Sequence, residues 1–152
     1  MDNLEQIYQE LIMEHGMNSY NKKKLDRSDY CQLGHNPNCG DEIKLEVKLS
    51  KDKQVLEDMS FTGHGCAISQ ASTSIMIDVL KGKSIKEAKE IIDIYFKMIK
   101  REDISKEESK LLKDAMILKN ISNMPARVKC ALLAWHTLDD MLKNWQKTHF
   151  MV

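Results

Sequence analysis

The stretch Thr62–Ala71, with the sequence TGHGCAISQA, is the point around which the rest of the chain is organised. Two glycines precede Cys66, and glycine lets the backbone turn sharply and approach a bound group closely. The small residues that follow the cysteine open a predicted helix. A thiol at the start of a helix faces unpaired N–H groups and the positive end of the helix dipole, which favours the thiolate. The stretch therefore predicts a ligating or reactive cysteine where a helix begins.

Length and composition predict one soluble domain spanning residues 1–152. Lysine plus arginine equals aspartate plus glutamate at 23 each, so no overall field attracts nucleic acid or an anionic membrane. No apolar run approaches the roughly 18 residues that a membrane-spanning helix requires. The acidic start, Met1–Glu5, is unlike a signal peptide. We therefore expect a cytoplasmic protein with neither a nucleic-acid nor a membrane partner.

The chain has four cysteines, and in a cytoplasmic protein these are more plausibly ligands or reactive thiols than disulfide partners. Cys39, Cys66 and Cys130 are far apart, unlike the closely paired cysteines of zinc fingers and ribbons. Spacing alone is therefore a weak signal. Cys31 is interpreted as a spare thiol or a packing residue.

A predicted β-hairpin brings two of these cysteines together. Asp41–Leu49 alternates apolar and charged residues, which predicts a strand with one buried face. A turn at Ser50–Lys53 precedes Gln54–Phe61, which is predicted to return as the antiparallel partner. The hairpin begins beside Cys39 and ends just before Cys66, so the two thiols should be neighbours.

The rest of the chain predicts helices on one face of this sheet, an α+β fold. Apolar spacing, two Ser-x-x-Glu capping boxes and a proline at a first helical position mark their limits. A polar segment, Asn18–Asp29, is interpreted as a solvated loop, with docking of an acidic partner as a second interpretation. The predicted helices are Leu4–Met13, Ala67–Leu80, Ile85 to about Lys100, a shorter one around Leu111–Leu118, and Pro125 to about Trp145.

The candidate metal ligands are three thiols and one carboxylate. Cys39 and Asp41 stand two apart at a strand start, so their side chains project to the same face. With Cys66 and Cys130 they supply enough donors for a tetrahedral zinc ion. The alternative is that each cysteine is a small core residue. The glycines beside the cysteines count against that alternative, because the sequence suggests no packing role for them. A redox dithiol is a further alternative, although no CxxC pair supports it.

Three motifs resemble those of the IscU/NifU-N superfamily of iron–sulfur cluster assembly proteins. They are NPNCGD at 36–41, GHGCAIS at 63–69 and PARVKCAL at 125–132, and the resemblance runs over nearly the whole chain. Two details resemble the SufU branch. The interval from Cys66 to Cys130 has room for an extra helix, and Lys129 stands where scaffold-type members carry histidine.

This resemblance implies a zinc-dependent sulfur acceptor. It places zinc on Cys39, Asp41, Cys66 and Cys130, and it makes Cys39 the acceptor of persulfide sulfur from a PLP-dependent cysteine desulfurase of the SufS type. It further implies that a desulfurase histidine displaces Cys39 from zinc and that Arg127 helps to steer the exchange. Downstream iron–sulfur assembly proteins are the implied recipients of the sulfur.

Two other functions stay open at this point. The same residues could form a scaffold that assembles a transient [2Fe–2S] cluster and passes it on, or the protein could be a zinc-stabilised adaptor without sulfur chemistry. His64 could be an alternate ligand, although a surface histidine is the favoured interpretation. No role is assigned to His35.

Overall fold

The structure, a computed structural model, describes residues 10, 12–13, 20–37 and 40–150, with side chains as far as Trp145. Cys39 and most of the predicted helix Leu4–Met13 lie outside the described residues. The α+β prediction is confirmed, since a three-stranded antiparallel sheet is followed by helices. The strands are β1 (Tyr30–Asn36), β2 (Asp41–Leu49) and β3 (Leu56–His64), and the helices are α1 (Ala67–Leu80), α2 (Ile85–Ile99), α3 (Lys106–Leu112), a 3₁₀ helix (Lys113–Asn123) and α4 (Pro125–Phe150).

The predicted hairpin is present as β2 and β3. Every second residue of β2, from Asp41 to Leu49, is buried, as the alternation predicts. The register places Glu42 opposite His64, so the start of β2 lies beside the end of β3. The second strand was predicted at Gln54–Phe61, but it begins two residues later, at Leu56, and continues to His64. The pairing register between β2 and β3 shifts at Lys48/Leu49.

The first strand, β1, is absent from the sequence-based prediction. Its sequence, YCQLGHN, does not alternate apolar and polar residues, and only Gly34 and Asn36 are buried. Gly34 allows α4 to pack closely, because a Cβ there would lie 2.2 Å from the Thr137 Oγ1 atom. The chain then turns into β2 through Gly40, which has a φ of +69° and donates its N–H to the Asn36 carbonyl at 3.0 Å.

The polar segment after residue 19 is a largely exposed loop over residues 22–29, as predicted, but Asn21 departs from the prediction. Asn21 is buried, and its amide donates to the Ser74 carbonyl at 3.1 Å and to Asp78 at 2.9 Å. Its own carbonyl accepts the N–H of Phe61. Tyr20 donates to Asp78 at 2.6 Å, and this bond raises the pKa of the phenol. The segment is thus attached to both β3 and α1, although the lysine run 22–24 is exposed.

The helices begin where their caps predict. Ser84 and Ser105 each form a complete capping box at the start of α2 and α3, and Pro125 opens α4. An α-helix was predicted around Leu111–Leu118, but α3 ends at Leu112, and the chain continues as a 3₁₀ helix. The α-helix ends there because Lys113 has a φ of +48°. In the part of the chain that the structure describes, no helix combines the length and the hydropathy needed to cross a bilayer.

Candidate metal centre

Three elements bring one carboxylate and two thiols together. Asp41 is the first residue of β2, Cys66 is the N-cap residue of α1, and Cys130 lies in the second turn of α4. One carboxylate oxygen and the two Sγ atoms all lie within 4.8 Å of one another. Asp41 and Cys130 are buried, at 0% and 1% exposure, whereas Cys66 is half-buried. The predicted convergence of the hairpin end and the last helix is therefore present for these three residues.

Cys66 organises the corner between β3 and α1. Its Sγ atom accepts the Ser69 N–H at 3.4 Å, which caps the helix as serine or aspartate often does. Its own backbone N–H donates to Asp41 Oδ1 at 2.8 Å, and its Sγ atom lies 4.0 Å from Asp41 Oδ2. The carboxylate is therefore held by the residue whose thiol lies beside it.

The two glycines before Cys66 have packing roles that the sequence did not reveal. A Cβ at Gly65 would lie 2.7 Å from Asp41 Oδ1 and 3.1 Å from its Cγ, so a side chain there would displace the carboxylate. Gly63 has a φ of +121°, and a Cβ there would lie 2.0 Å from the Glu42 carbonyl oxygen. Gly63 therefore allows β3 to lie close to β2, and Gly65 allows Asp41 to lie against the connection into α1.

The donor set and its spacing fit a zinc ion. Zinc binds thiolate sulfur at about 2.3 Å and carboxylate oxygen at about 2.0–2.2 Å, so tetrahedral ligands are separated by roughly 3.5–3.8 Å. The Cys66–Asp41 separation of 4.0 Å and the 4.8 Å limit on the group are slightly larger. Small inward movements would bring the three donors to bonding distance. Cys39, the predicted fourth ligand, stands two residues before Asp41 in the sequence and lies outside the described residues.

Arg127 and Lys129, two basic residues that precede Cys130 in the sequence, are exposed near the start of α4. Arg127 is in the first turn, where its N–H donates to the Met124 carbonyl at 2.8 Å, and it precedes Cys130 by one helical turn. Lys129 is also exposed. Residues three apart on a helix share a face, so Arg127 begins on the side of α4 that carries the thiol.

Three other candidate ligands, His64, His35 and Cys31, do not join the group formed by Asp41 and the two thiols. His64 is 73% exposed and its Nε2 atom lies 3.3 Å from Glu42, whose side chain is on the sheet face opposite to that of its neighbour Asp41. His35 and Cys31 are exposed on β1. The interpretation of His64 as an alternate ligand is therefore disfavoured, and Cys31 stands apart as a spare thiol.

Comparison with known proteins identifies the family. The family of NifU-like N-terminal domains matches residues 7–151. The zinc-dependent sulfurtransferase SufU of Bacillus subtilis is 39% identical over 90% of this chain and 90% of its own length. The iron–sulfur cluster assembly scaffold protein IscU of Streptococcus pyogenes is 36% identical over 95% of this chain and 87% of its own length.

A solved structure agrees with this assignment. The crystal structure of a SufU protein from Fervidobacterium islandicum superposes with a TM-score of 0.82 at 35% identity, covering 90% of this chain and 97% of that one. The sheet and the helices of this chain thus occur in a fold that this relative shares. The chain belongs to the family of NifU-like N-terminal domains, the IscU/NifU-N superfamily that its three cysteine motifs resemble.

Proposed function

We propose that this protein is a zinc-dependent sulfurtransferase in iron–sulfur cluster biogenesis. It accepts persulfide sulfur from a PLP-dependent cysteine desulfurase of the SufS type. The observation that carries the proposal is the convergence of the Asp41 carboxylate with the thiols of Cys66 and Cys130. A relative of similar length, 39% identical, is named as a zinc-dependent sulfurtransferase.

Each donor has a place in this proposal. Cys39, Asp41, Cys66 and Cys130 bind zinc, which keeps the thiols deprotonated and does not itself exchange electrons. Asp41 and Cys130 are buried, and Cys66 is held by its helix cap, so these three form the fixed part of the site. Cys39 precedes β2, outside this fixed part, and would be the donor that is free to react.

The reaction is a thiol exchange without net oxidation. The Cys39 thiolate attacks the outer sulfur of the desulfurase persulfide, a new S–S bond forms at Cys39, and the S–S bond within the desulfurase breaks. The desulfurase cysteine leaves as a thiolate, and the transferred sulfur keeps its proton, so Cys39 ends as a persulfide. Arg127, exposed one helical turn before Cys130, stabilises the anionic sulfur during the transfer.

The test replaces the acceptor and compares it with a matched cysteine. The Cys39→Ala variant should fold but should fail to stimulate the desulfurase, and it should gain no sulfur in a mass spectrum. The wild-type peptide that contains Cys39 should gain about 32 Da, one sulfur atom, after incubation with desulfurase and cysteine. Cys31→Ala is the control, because Cys31 is exposed on β1, and this variant should behave as wild type. Full stimulation by Cys39→Ala would refute the proposal.

A second function, assembly of a transient [2Fe–2S] cluster, is favoured by one observation. A relative 36% identical over 95% of this chain is named as a cluster assembly scaffold. The same cysteines and Asp41 would hold the cluster before downstream assembly proteins receive it. Lys129 argues against this function, since the resemblance implies a histidine at this position in scaffold-type members, and iron–sulfur clusters are held by thiolates and, in some centres, by histidine.

Anaerobic reconstitution separates the two functions. Zinc-loaded protein is incubated with iron, sulfide and a reductant, and its visible spectrum and zinc content are followed together. The sulfurtransferase should keep its zinc and remain colourless. A stable chromophore that passes to an apo-acceptor protein would instead establish the scaffold function.

A further inference from the structure

A buried polar cluster joins three helices next to the candidate metal centre. The Tyr95 hydroxyl of α2 and the Ser72 hydroxyl of α1 both donate to the backbone carbonyl of Ala131 in α4, each at 2.7 Å. The Trp135 indole N–H donates to the Ser72 oxygen at 3.0 Å. All four residues are fully buried, at 0% exposure.

The Ser72 hydroxyl uses both its donor and its acceptor capacity within this cluster. Ser72 has one hydroxyl proton, which it donates to Ala131, and its oxygen accepts the proton of Trp135. The Tyr95 ring stacks on the Trp135 indole with centroids 3.7 Å apart and planes 5° apart. Satisfied polar networks in a core restrict packing more than apolar contacts do, because hydrogen bonds are directional and broken ones are costly.

The cluster lies between the two helices that carry the thiols. Ala131 is bonded directly to Cys130 in the chain, and Ser72 is six residues after Cys66, or about 9 Å along the helix axis. The Ser72–Ala131 hydrogen bond therefore fixes how far α4 slides along α1. That slide determines the distance between the two sulfur atoms. Metal–ligand distances tolerate changes of only about 0.2 Å, and the donors are already slightly farther apart than zinc requires. A slip that moved the helices farther apart would therefore weaken the site.

We infer that Tyr95 and Ser72 are positioning residues, which hold Cys130 against Cys66 for metal binding. The inference rests on the zinc site of the proposed function. It goes beyond that function because neither residue is a ligand. Tyr95 acts on Cys130 through the Ala131 carbonyl, and Ser72 both reaches that carbonyl and orients Trp135.

Tyr95→Phe is the most informative variant, because it removes one hydrogen bond and keeps the ring stack. Ala131 would still accept from Ser72, so we expect the protein to fold with a loss of about 1 kcal/mol in the free energy of unfolding. Ile92→Val is the matched control, since Ile92 is fully buried in the same helix and this change has a similar expected cost. Ser72→Ala is a second variant, which also leaves the Trp135 N–H without its acceptor.

The measurements are zinc affinity, by competition with a chelator, and the visible spectrum of the cobalt(II)-substituted protein. Tyr95→Phe should bind zinc about 10-fold more weakly and shift the cobalt bands, as expected when a group that orients a ligand is lost. Ser72→Ala should show a larger effect, and Ile92→Val should stay within about twofold of wild type. If Tyr95→Phe bound zinc as tightly as wild type and gave the same cobalt spectrum, the inference about Tyr95 would be wrong. The proposed zinc site would still stand. A wild-type cobalt spectrum without thiolate charge-transfer bands would overturn the proposed metal site, and with it the inference.

Discussion

Replacing Gly65 with alanine tests how the carboxylate is positioned at the candidate metal centre. The new Cβ would lie 2.7 Å from Asp41 Oδ1, whereas ordinary contacts begin at 3.4 Å. Gly65 has no positive φ, so alanine fits the backbone and the effect is steric. Asp41 is fully buried, and Oδ1 already accepts the Cys66 N–H at 2.8 Å. A shift of several tenths of an ångström would therefore stretch that hydrogen bond and move the carboxylate relative to the two sulfurs.

The expected loss follows from that hydrogen bond. Leaving a buried polar group poorly satisfied costs about 1–3 kcal/mol, and replacing glycine with alanine recovers roughly 0.4–1 kcal/mol through the unfolded state. We therefore expect Gly65→Ala to lower the free energy of unfolding by about 1–2 kcal/mol in the absence of metal. Zinc affinity should fall about 10- to 100-fold, because the ligand itself is displaced. Urea denaturation with and without zinc, together with chelator competition, measures both quantities.

Gly82→Ala provides the matched control. Gly82 has a φ of +86°, and a Cβ there would meet nothing within 4 Å. Alanine should therefore cost about 1–2 kcal/mol of backbone strain without touching the site. The two variants should lose similar stability, and only Gly65→Ala should lose zinc affinity. If Gly65→Ala bound zinc as tightly as wild type, Asp41 would not be a ligand in the arrangement described above.

Two further predictions concern residues around the centre. The Ser69 hydroxyl is buried at 1% exposure and has no hydrogen-bond partner among the described residues. Ser69→Ala should therefore leave the thermal midpoint of the metal-free protein unchanged or raise it. A clear decrease in the midpoint would contradict this prediction. Gly34→Ala should destabilise the protein by roughly 1–3 kcal/mol in urea denaturation, because its Cβ would meet Thr137 Oγ1 at 2.2 Å. Adding Thr137→Ala should restore part of the lost stability. If the second substitution restored nothing, this contact would not be the cause of the loss.

The sequence predicts best where one local pattern decides the structure. Alternation along Asp41–Leu49 predicts β2, and the Ser84 and Ser105 capping boxes predict the starts of α2 and α3. Convergence of Asp41 with Cys66 follows from the antiparallel hairpin. These features depend on residues that are close in sequence or paired through one turn.

Features that depend on tertiary contacts are not predictable in this way. Strand β1 has a buried glycine where a strand pattern would show an apolar side chain, and the reason is the close packing of Thr137 from the last helix. Asn21 reads as a loop residue but is buried because Ser74 and Asp78 satisfy its amide. The role of Gly65 likewise becomes visible only once Asp41 is placed beside it. In each case the partner is distant in sequence, so no local pattern encodes the contact.

X-ray absorption at the zinc edge of the purified protein tests the central claim most directly. Three sulfur atoms at about 2.3 Å and one oxygen at about 2.0–2.2 Å are expected, from Cys39, Cys66, Cys130 and Asp41. Asp41→Ala should remove the oxygen, or replace it with water, and leave the sulfur shell intact. A zinc ion surrounded mainly by nitrogen and oxygen, or one zinc shared among several chains, would contradict the account.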